Sequence, residues 1–379
     1  MPTVLLVGAF GQHNPGDEAL LEAFLRHLDG WRAVATSSDP ADTRACRGCD
    51  AVSSSDPKDV ALQAVRADAV VFAGGTIFKT LHPSAGRSAN DLLRKGLVLA
   101  AGARAMGKSV AMLGVGAGKL DNAYADILAR AFAHRSGLLV LRDEESAVLL
   151  AEAGVRPPFR IGADPAWALF DLEGEPRFQP PHRISAQRRD EVIVALSHLA
   201  DDGTLTARIT AALRPLVSEG VEIKLQPWQN GRTSPGDTHL ARELQASLGV
   251  ELLPPPRDLK QARDTFAACR LVVSFRYHAL IAASTAGTPF VSYGHEAKLI
   301  GLSRRLRQPC VSKRLGPEAL TETIRLSLDA EPAVPDTISR EIDAAHEGFR
   351  LLRLLLDGGE ETHPEDVGGL HLTPPPSPP

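Results

Sequence analysis

Residues 271–302 read LVVSFRYHALIAASTAGTPFVSYGHEAKLIGL, and the fold turns on how this stretch is parsed. Leu271 to Ser274 is an apolar run long enough only for a buried strand. It breaks at Phe275-Arg276-Tyr277-His278, after which Ala279 to Ala286 is small, apolar and free of breakers. That segment predicts a packed helix closed by Gly287. Pro289 to Tyr293 predicts a second buried strand, and Gly294-His295-Glu296-Ala297-Lys298 opens a further helix. Arg276, His278, His295, Glu296 and Lys298 therefore collect where strands give way to helices. In an open parallel sheet that edge is where ligands bind. Helix N-termini there offer free N–H groups and a positive dipole end, so the pattern reads as an anion site with a proton donor. One histidine at a helix start is more often a cap than a catalyst. The clustering is what favours a site.

The same arrangement recurs towards the N-terminus. Pro2 to Gly8 predicts a strand, followed by a glycine-containing loop through Asn14-Pro15-Gly16-Asp17-Glu18 and a helix to about Leu28. Gly8, Gly11 and Gly16 lack the spacing of a dinucleotide fingerprint, and no Lys-Ser/Thr pair makes a phosphate loop. The loop does let backbone N–H groups approach a ligand closely. Asp17 is equally a helix cap, with Glu18 favouring the dipole. Ala69 to Ala73 predicts a buried strand ending in Gly74-Gly75-Thr76, and Val110 to Val115 another, followed by Gly116 and Gly118. Glycines at strand ends leave room that a side chain would block. Leu138 to Leu141 leads into Arg142, off the strand end, and into Asp143, a natural cap for a helix that Gly154 stops. Gly162-Ala163-Asp164-Pro165 predicts a turn.

Residues 171–190, DLEGEPRFQPPHRISAQRRD, break the alternation with three prolines, many charges and no apolar period, which predicts an interdomain linker. Strands are then expected at Glu191 to Ser197, Val221 to Gln226 and Leu252-Leu253, alternating with helices from Thr204, Thr238 and Asp258. Helices near Pro317 to Leu328 and Ile338 to Leu356 follow. The end, closing in TPPPSPP, cannot bury enough apolar surface to order itself. The expected organisation is a unit over 1–170, a linker over 171–190, a second unit over 191–357 and a disordered Pro-rich tail over 358–379. Strand–helix alternation in both halves predicts an α/β fold of two Rossmann-like, doubly wound domains facing each other.

At 379 residues the chain accommodates two ordinary domains, and 44% hydrophobic with 23% charged residues is the composition of a soluble globular protein. A net charge of −4 gives no general footprint for nucleic acid or a membrane surface. The basic run Arg304-Arg305-Leu306-Arg307, with Lys313 and Arg314, reads as a solvated helix face. No stretch approaches the length of a membrane span, and Val4 to Phe10 lacks the basic leader and cleavage site of a signal peptide, so a cytoplasmic location is expected. Cys46-Arg47-Gly48-Cys49 has metal or redox spacing, but no second pair completes a zinc site, and residues 39–57 read as a loop.

Arg276-Tyr277-His278-Ala279-Leu280-Ile281-Ala282-Ala283, then Gly287-Thr288-Pro289, an apolar strand, Tyr293 and Lys298 resemble the C-terminal signature of the polysaccharide pyruvyl transferase family. Asn14-Pro15-Gly16-Asp17-Glu18, Arg142-Asp143-Glu144-Glu145-Ser146 and the Gly162 turn resemble further elements of that family, in the same order. The family often has Tyr-Asp-Pro-Lys where this chain has Tyr293-Gly294-His295-Glu296-Ala297-Lys298. The resemblance spans roughly Val4 to Leu302 and implies the GT-B-like layout of two facing domains. It implies transfer of a pyruvyl group from phosphoenolpyruvate to two hydroxyls of a sugar or glycan precursor, giving a ketal and phosphate. It implies no cofactor and no metal, because an anionic donor calls for cations and helix N-termini. Arg276 and Arg142 suit the donor's carboxylate and phosphate, with Lys298 as a third cation. Asn14, Gly16, Gly74, Gly75, Gly116, His295 and Glu296 are expected to line the substrates. His278 suits the general acid, and Asp17 or Glu18 the base. A nucleotide-sugar glycosyltransferase with Glu296 on the ribose, and a non-catalytic anion-binding module, remain open, as does a homo-oligomer.

Overall fold

The computed structural model describes residues 1–81, 87–170, 190–200, 203–229 and 236–358. The expected linker and the Pro-rich tail lie almost wholly outside the described residues. The first half runs β1 (Thr3–Phe10), α1 (Pro15–His27), β2 (Arg32–Ser37), α2 (Pro40–Arg47), β3 (Asp50–Ser53), α3 (Pro57–Arg66), β4 (Ala69–Ala73) and β5 (Thr76–Phe78). It continues through α4 (Asp91–Ala105), β6 (Ser109–Ala117), α5 (Ala123–Ala133), β7 (Leu138–Leu141), α6 (Glu144–Glu152), β8 (Arg160–Ile161) and a 3-10 turn over Pro165–Phe170. The second half runs β9 (Glu191–Ala195), α7 (Leu205–Ser218), β10 (Glu222–Gln226), α8 (Asp237–Leu248), β11 (Glu251–Leu252), α9 (Leu259–Ala267) and β12 (Leu271–Ser274). It ends with α10 (Tyr277–Thr285), β13 (Phe290–Gly294), α11 (Ala297–Arg305), β14 (Cys310–Ser312), α12 (Pro317–Ser327) and α13 (Pro335–Leu356).

Every strand pairing is parallel. The first sheet has the order β3-β2-β1-β4-β6-β7-β8, with β5 beside β6, and the second β11-β10-β9-β12-β13-β14. Each sheet reverses its winding once, between β1 and β4 and between β9 and β12, which is the doubly wound pattern. Successive side chains of a strand alternate between its faces. Val4 and Leu6 accordingly join one apolar cluster and Leu5 another, while Ile193 and Ala195 join the cluster of Val4, and Val192 and Val194 a third. The cluster shared by both halves is the joint between them. It contains Leu20 and Phe24 of α1, six of the nine residues of α10, and Phe266 of α9. Helix α10 is apolar all round because it is covered all round.

Three expectations change. Residues 39–57 are not a loop: they contain α2, capped by Asp39, and β3. Cys46 thus lies in the last turn of a helix, the opposite of the helix-opening position a redox pair needs. Helix α13, expected in the second unit, packs against β6, β7 and residues 165–170 of the first. Ile338, Ile342, Ala345 and Leu352 join the cluster of Leu113, Val140 and Trp167, and Phe349 stacks on His27 at 4.1 Å. Arg305 is not solvated: it pairs with Glu145 of α6 at 3.2 Å and Glu341 of α13 at 2.7 Å, tying the halves together.

Candidate active site

The helices that follow the strand ends of the two sheets meet, α1 against α10, and His278 stands where they touch. It lies in the first turn of α10, and its Nε2 is 3.5 Å from Oδ1 of Asp164 in the other half. Nδ1 faces the start of α1, where a Cβ on Gly16 would sit 2.0 Å away. Only glycine permits this approach. Asp164 is fully buried, accepts from Ala166 N at 3.0 Å and lies 3.8 Å from Arg142 Nη1. Burial alone would raise its carboxyl, but the nearby charge of His278, and then that of Arg142, outweigh burial and hold it below the usual range.

Asp17 is the second element. Asn14 caps α1 by accepting from Gly16 N at 3.2 Å, and its Nδ2 donates to Asp17 Oδ2 at 2.7 Å. Burial pushes the Asp17 carboxyl up, against the pull of His278, Lys298 and Arg276, which all lie around it. Glu18 does not join them. Consecutive helical residues point about 100° apart. Glu18 therefore turns back into its own loop, where Oε1 accepts from Gly11 N at 2.7 Å and Oε2 lies 3.6 Å from Arg47 Nε. Its place as an alternative base is withdrawn in favour of bracing the loop.

The cations divide into three roles. Lys298 pairs with Glu296 at 2.6 Å. Burial would raise Glu296, yet Lys298 first, then His295 and Lys79, push it down to about 2. His295 donates from Nδ1 to the Tyr293 carbonyl at 3.1 Å, and burial lowers its basicity. Arg276 donates from Nη2 to the buried Asp237 at 2.5 Å and from Nε to the Leu196 carbonyl at 3.2 Å, so its charge is already matched. Arg142 is buried on Asp143 at 2.9 Å with its guanidinium 4.7 Å from the centre of the Tyr277 ring. It braces the residues that flank His278, and Gly116 exists for it: a Cβ there would stand 2.4 Å from Arg142 Nη2. Gly116 therefore makes room for Arg142 rather than for a substrate. Gly74 similarly admits Leu20, whereas the space around Gly75 is open.

Sequence reasoning missed four residues. Asp164 shows only as part of a turn motif. Lys79, just after β5, belongs to the same charge cluster, and burial first and Lys298 second lower its amine. His198 and Asp237 form a pair in the second half, with Nδ1 to Oδ1 at 2.6 Å. None carries a local pattern, because each partner is distant along the chain.

A sequence profile described as polysaccharide pyruvyl transferase matches residues 14–296. The chain belongs to that family. A search of curated proteins gives no significant match. Among solved structures, the UDP-GlcNAc 2-epimerase of Methanocaldococcus jannaschii shares 13% identity at a TM-score of 0.60, covering 94% of this chain and 100% of its own. HepE of Anabaena, in complex with UDP and glucose, shares 14% at 0.59, covering 95% and 99%. MnaA of S. aureus, with UDP, shares 11% at 0.60, covering 97% and 100%. At such identity the likeness is one of fold, and it places this pyruvyl transferase family member among two-domain, GT-B-like proteins. No helix among the described residues is long and apolar enough to cross a membrane.

Proposed function

We propose that the protein moves the pyruvyl group of phosphoenolpyruvate onto two hydroxyls of a sugar or glycan precursor, closing a cyclic ketal and releasing phosphate. The observation that carries this reading is the grouping of His278, Lys298 and Arg276 around Asp17, with Lys79 beside the Lys298–Glu296 pair. A donor with a carboxylate and a phosphate is held by fixed cations and helix N-termini. Asp17, whose carboxyl burial makes more basic, accepts the proton of the attacking hydroxyl. His278, oriented by Asp164, supplies a proton to the donor. The atoms balance. As the hydroxyl oxygen bonds to the central carbon, the double-bond electrons take a proton at the methylene carbon, which becomes the methyl. When the second hydroxyl bonds to that carbon, the C–O bond to phosphate breaks, and the second hydroxyl proton leaves with phosphate.

The test is phosphate release from phosphoenolpyruvate across a panel of sugar acceptors, repeated in D2O. One deuterium in the ketal methyl and acceptor-dependent phosphate are the expected results. UDP appears in the complexes of the structural neighbours, so UDP-sugars belong in the same panel. Consumption of a UDP-sugar with no phosphate released from phosphoenolpyruvate would replace this reading with sugar transfer.

A further inference from the structure

Asp237, the first residue of α8, is fully buried, and both its oxygens are occupied. Oδ1 accepts from the His198 backbone N–H at 2.8 Å and from His198 Nδ1 at 2.6 Å. Oδ2 accepts from Trp228 N at 3.1 Å, Gln229 N at 2.9 Å and Arg276 Nη2 at 2.5 Å. One carboxylate thus joins the ends of three adjacent strands, since His198 follows β9, Trp228 and Gln229 follow β10, and Arg276 follows β12. The second sheet reverses its winding between β9 and β12. In doubly wound sheets the ligand crevice opens at that reversal, outside the carboxyl ends of the strands. His198 and Arg276 flank it on one shared anchor. Burial would raise the Asp237 carboxyl, but the hydrogen bond of His198 and the charge of Arg276 hold it below the usual range. An ionised carboxylate only accepts, so Nδ1 of His198 is the donor and the ring is fixed. The His198 side chain is 23% exposed, and its Nε2 has no hydrogen-bond partner among the described residues.

We propose that His198 is an anion ligand: as the imidazolium it keeps Nδ1–H on Asp237 and presents Nε2–H, on the same anchor as Arg276, to the phosphate of the donor, with Asp237 as the residue that positions it. Identifying the anion as phosphoenolpyruvate rests on the function proposed above, while the anion site itself does not. Calorimetry on the full chain with inorganic phosphate and, separately, phosphoenolpyruvate tests it. His198→Asn keeps a donor near the place of Nδ1 and loses the reach of Nε2; His198→Gln does the reverse. The proposal expects His198→Asn to weaken phosphate binding roughly ten- to hundredfold, the range of one charge-assisted hydrogen bond. His198→Gln should recover part of that loss. Asp237→Asn should also weaken binding, and adding His198→Asn to it should bring little more, because the two act as one unit. Melting temperatures near wild type show that the variants fold. Wild-type phosphate affinity in a folded His198→Asn variant overturns the proposal, as does tighter phosphate binding by His198→Asn than by His198→Gln. Phosphate binding that depends on His198, with no binding of phosphoenolpyruvate, upholds the site and sinks the assigned donor.

Discussion

Replacing Gly16 by alanine probes the closest approach between the two halves. The added Cβ would stand 2.0 Å from Nδ1, 2.4 Å from Cγ and 2.9 Å from Cβ of His278. Ordinary contact begins at 3.4 Å, so the ring or the helix must retreat by about 1.4 Å. The ring has little room to do so, with Asp164 at 3.5 Å on one edge and the Tyr277 ring at 5.5 Å, perpendicular, beside it. Overpacking of this kind costs ~1–3 kcal/mol. Alanine in a helix recovers up to ~1 kcal/mol over glycine, so the net loss is ~0–2 kcal/mol. At ~2–4 °C per kcal/mol the melting temperature falls by less than ~8 °C. Displacing a catalytic group by ~1 Å costs ~10²-fold in rate. The expected signature is therefore a large loss of turnover on a modestly destabilised protein, read by phosphate release and scanning fluorimetry. Gly102→Ala, in an exposed part of α4 where a Cβ meets nothing within 4 Å, is the control. It should keep full turnover and gain ~0.5–1 kcal/mol. Wild-type turnover and melting in Gly16→Ala would refute the contact between Gly16 and His278.

Arg276→Ala takes the guanidinium donor from the buried carboxylate of Asp237 but leaves the His198 and backbone N–H donors, so urea unfolding should show a loss of about 1.5–3 kcal/mol, and an unchanged midpoint would mean the pair is absent in solution. Glu296 has a folded-state value of about 2, below the 4.5 of a free glutamate. Its stabilising contribution is therefore full above pH 4.5 and fades as pH falls towards 2. Glu296→Gln should accordingly melt below wild type at pH 7, by a small margin because the side chain is 44% exposed, and the two should converge in acid. A gap that widens on acidification contradicts the pairing with Lys298. Burial raises the Cys49 thiol, and the hydrogen bond to Asp42 raises Cys46, so both are weak nucleophiles at neutral pH. Replacing both with serine should leave turnover and metal content unchanged, and stoichiometric zinc lost with the pair would reverse that view.

How much the sequence reveals depends on where the partner of each residue lies. The strands β4, β6, β12 and β13 are legible because parallel strands buried on both faces are continuous apolar runs. Helix α10 is legible because Gly287 stops a breaker-free run. By contrast α2, PADTRACR, buries only Thr43 and has no apolar period to read, and β3 is four residues with one buried. In the site, His278, Asp17 and Lys298 are legible from their place at strand ends, which chain order alone supplies. Side-chain direction is not. Whether Glu18 or Asp17 faces the cleft depends on helical phase, and whether Gly116 serves a ligand or Arg142 depends on a strand paired across the sheet. Asp164, His198 and Asp237 act through partners on other elements, and Lys79 lies beside residues of the other half.

Helix α13 also bears on how the protein is made. Ile338, Ile342 and Phe349 cover an apolar face formed by Leu113, Val140 and Trp167, which leave the ribosome some two hundred residues earlier. At ~5–20 residues per second that face waits roughly ten to forty seconds for its cover. A nascent chain with such a surface bare is a substrate for chaperones and a hazard for aggregation. The half synthesised earlier is therefore the one finished later, and a stop codon ahead of Pro335 would leave its core without one wall.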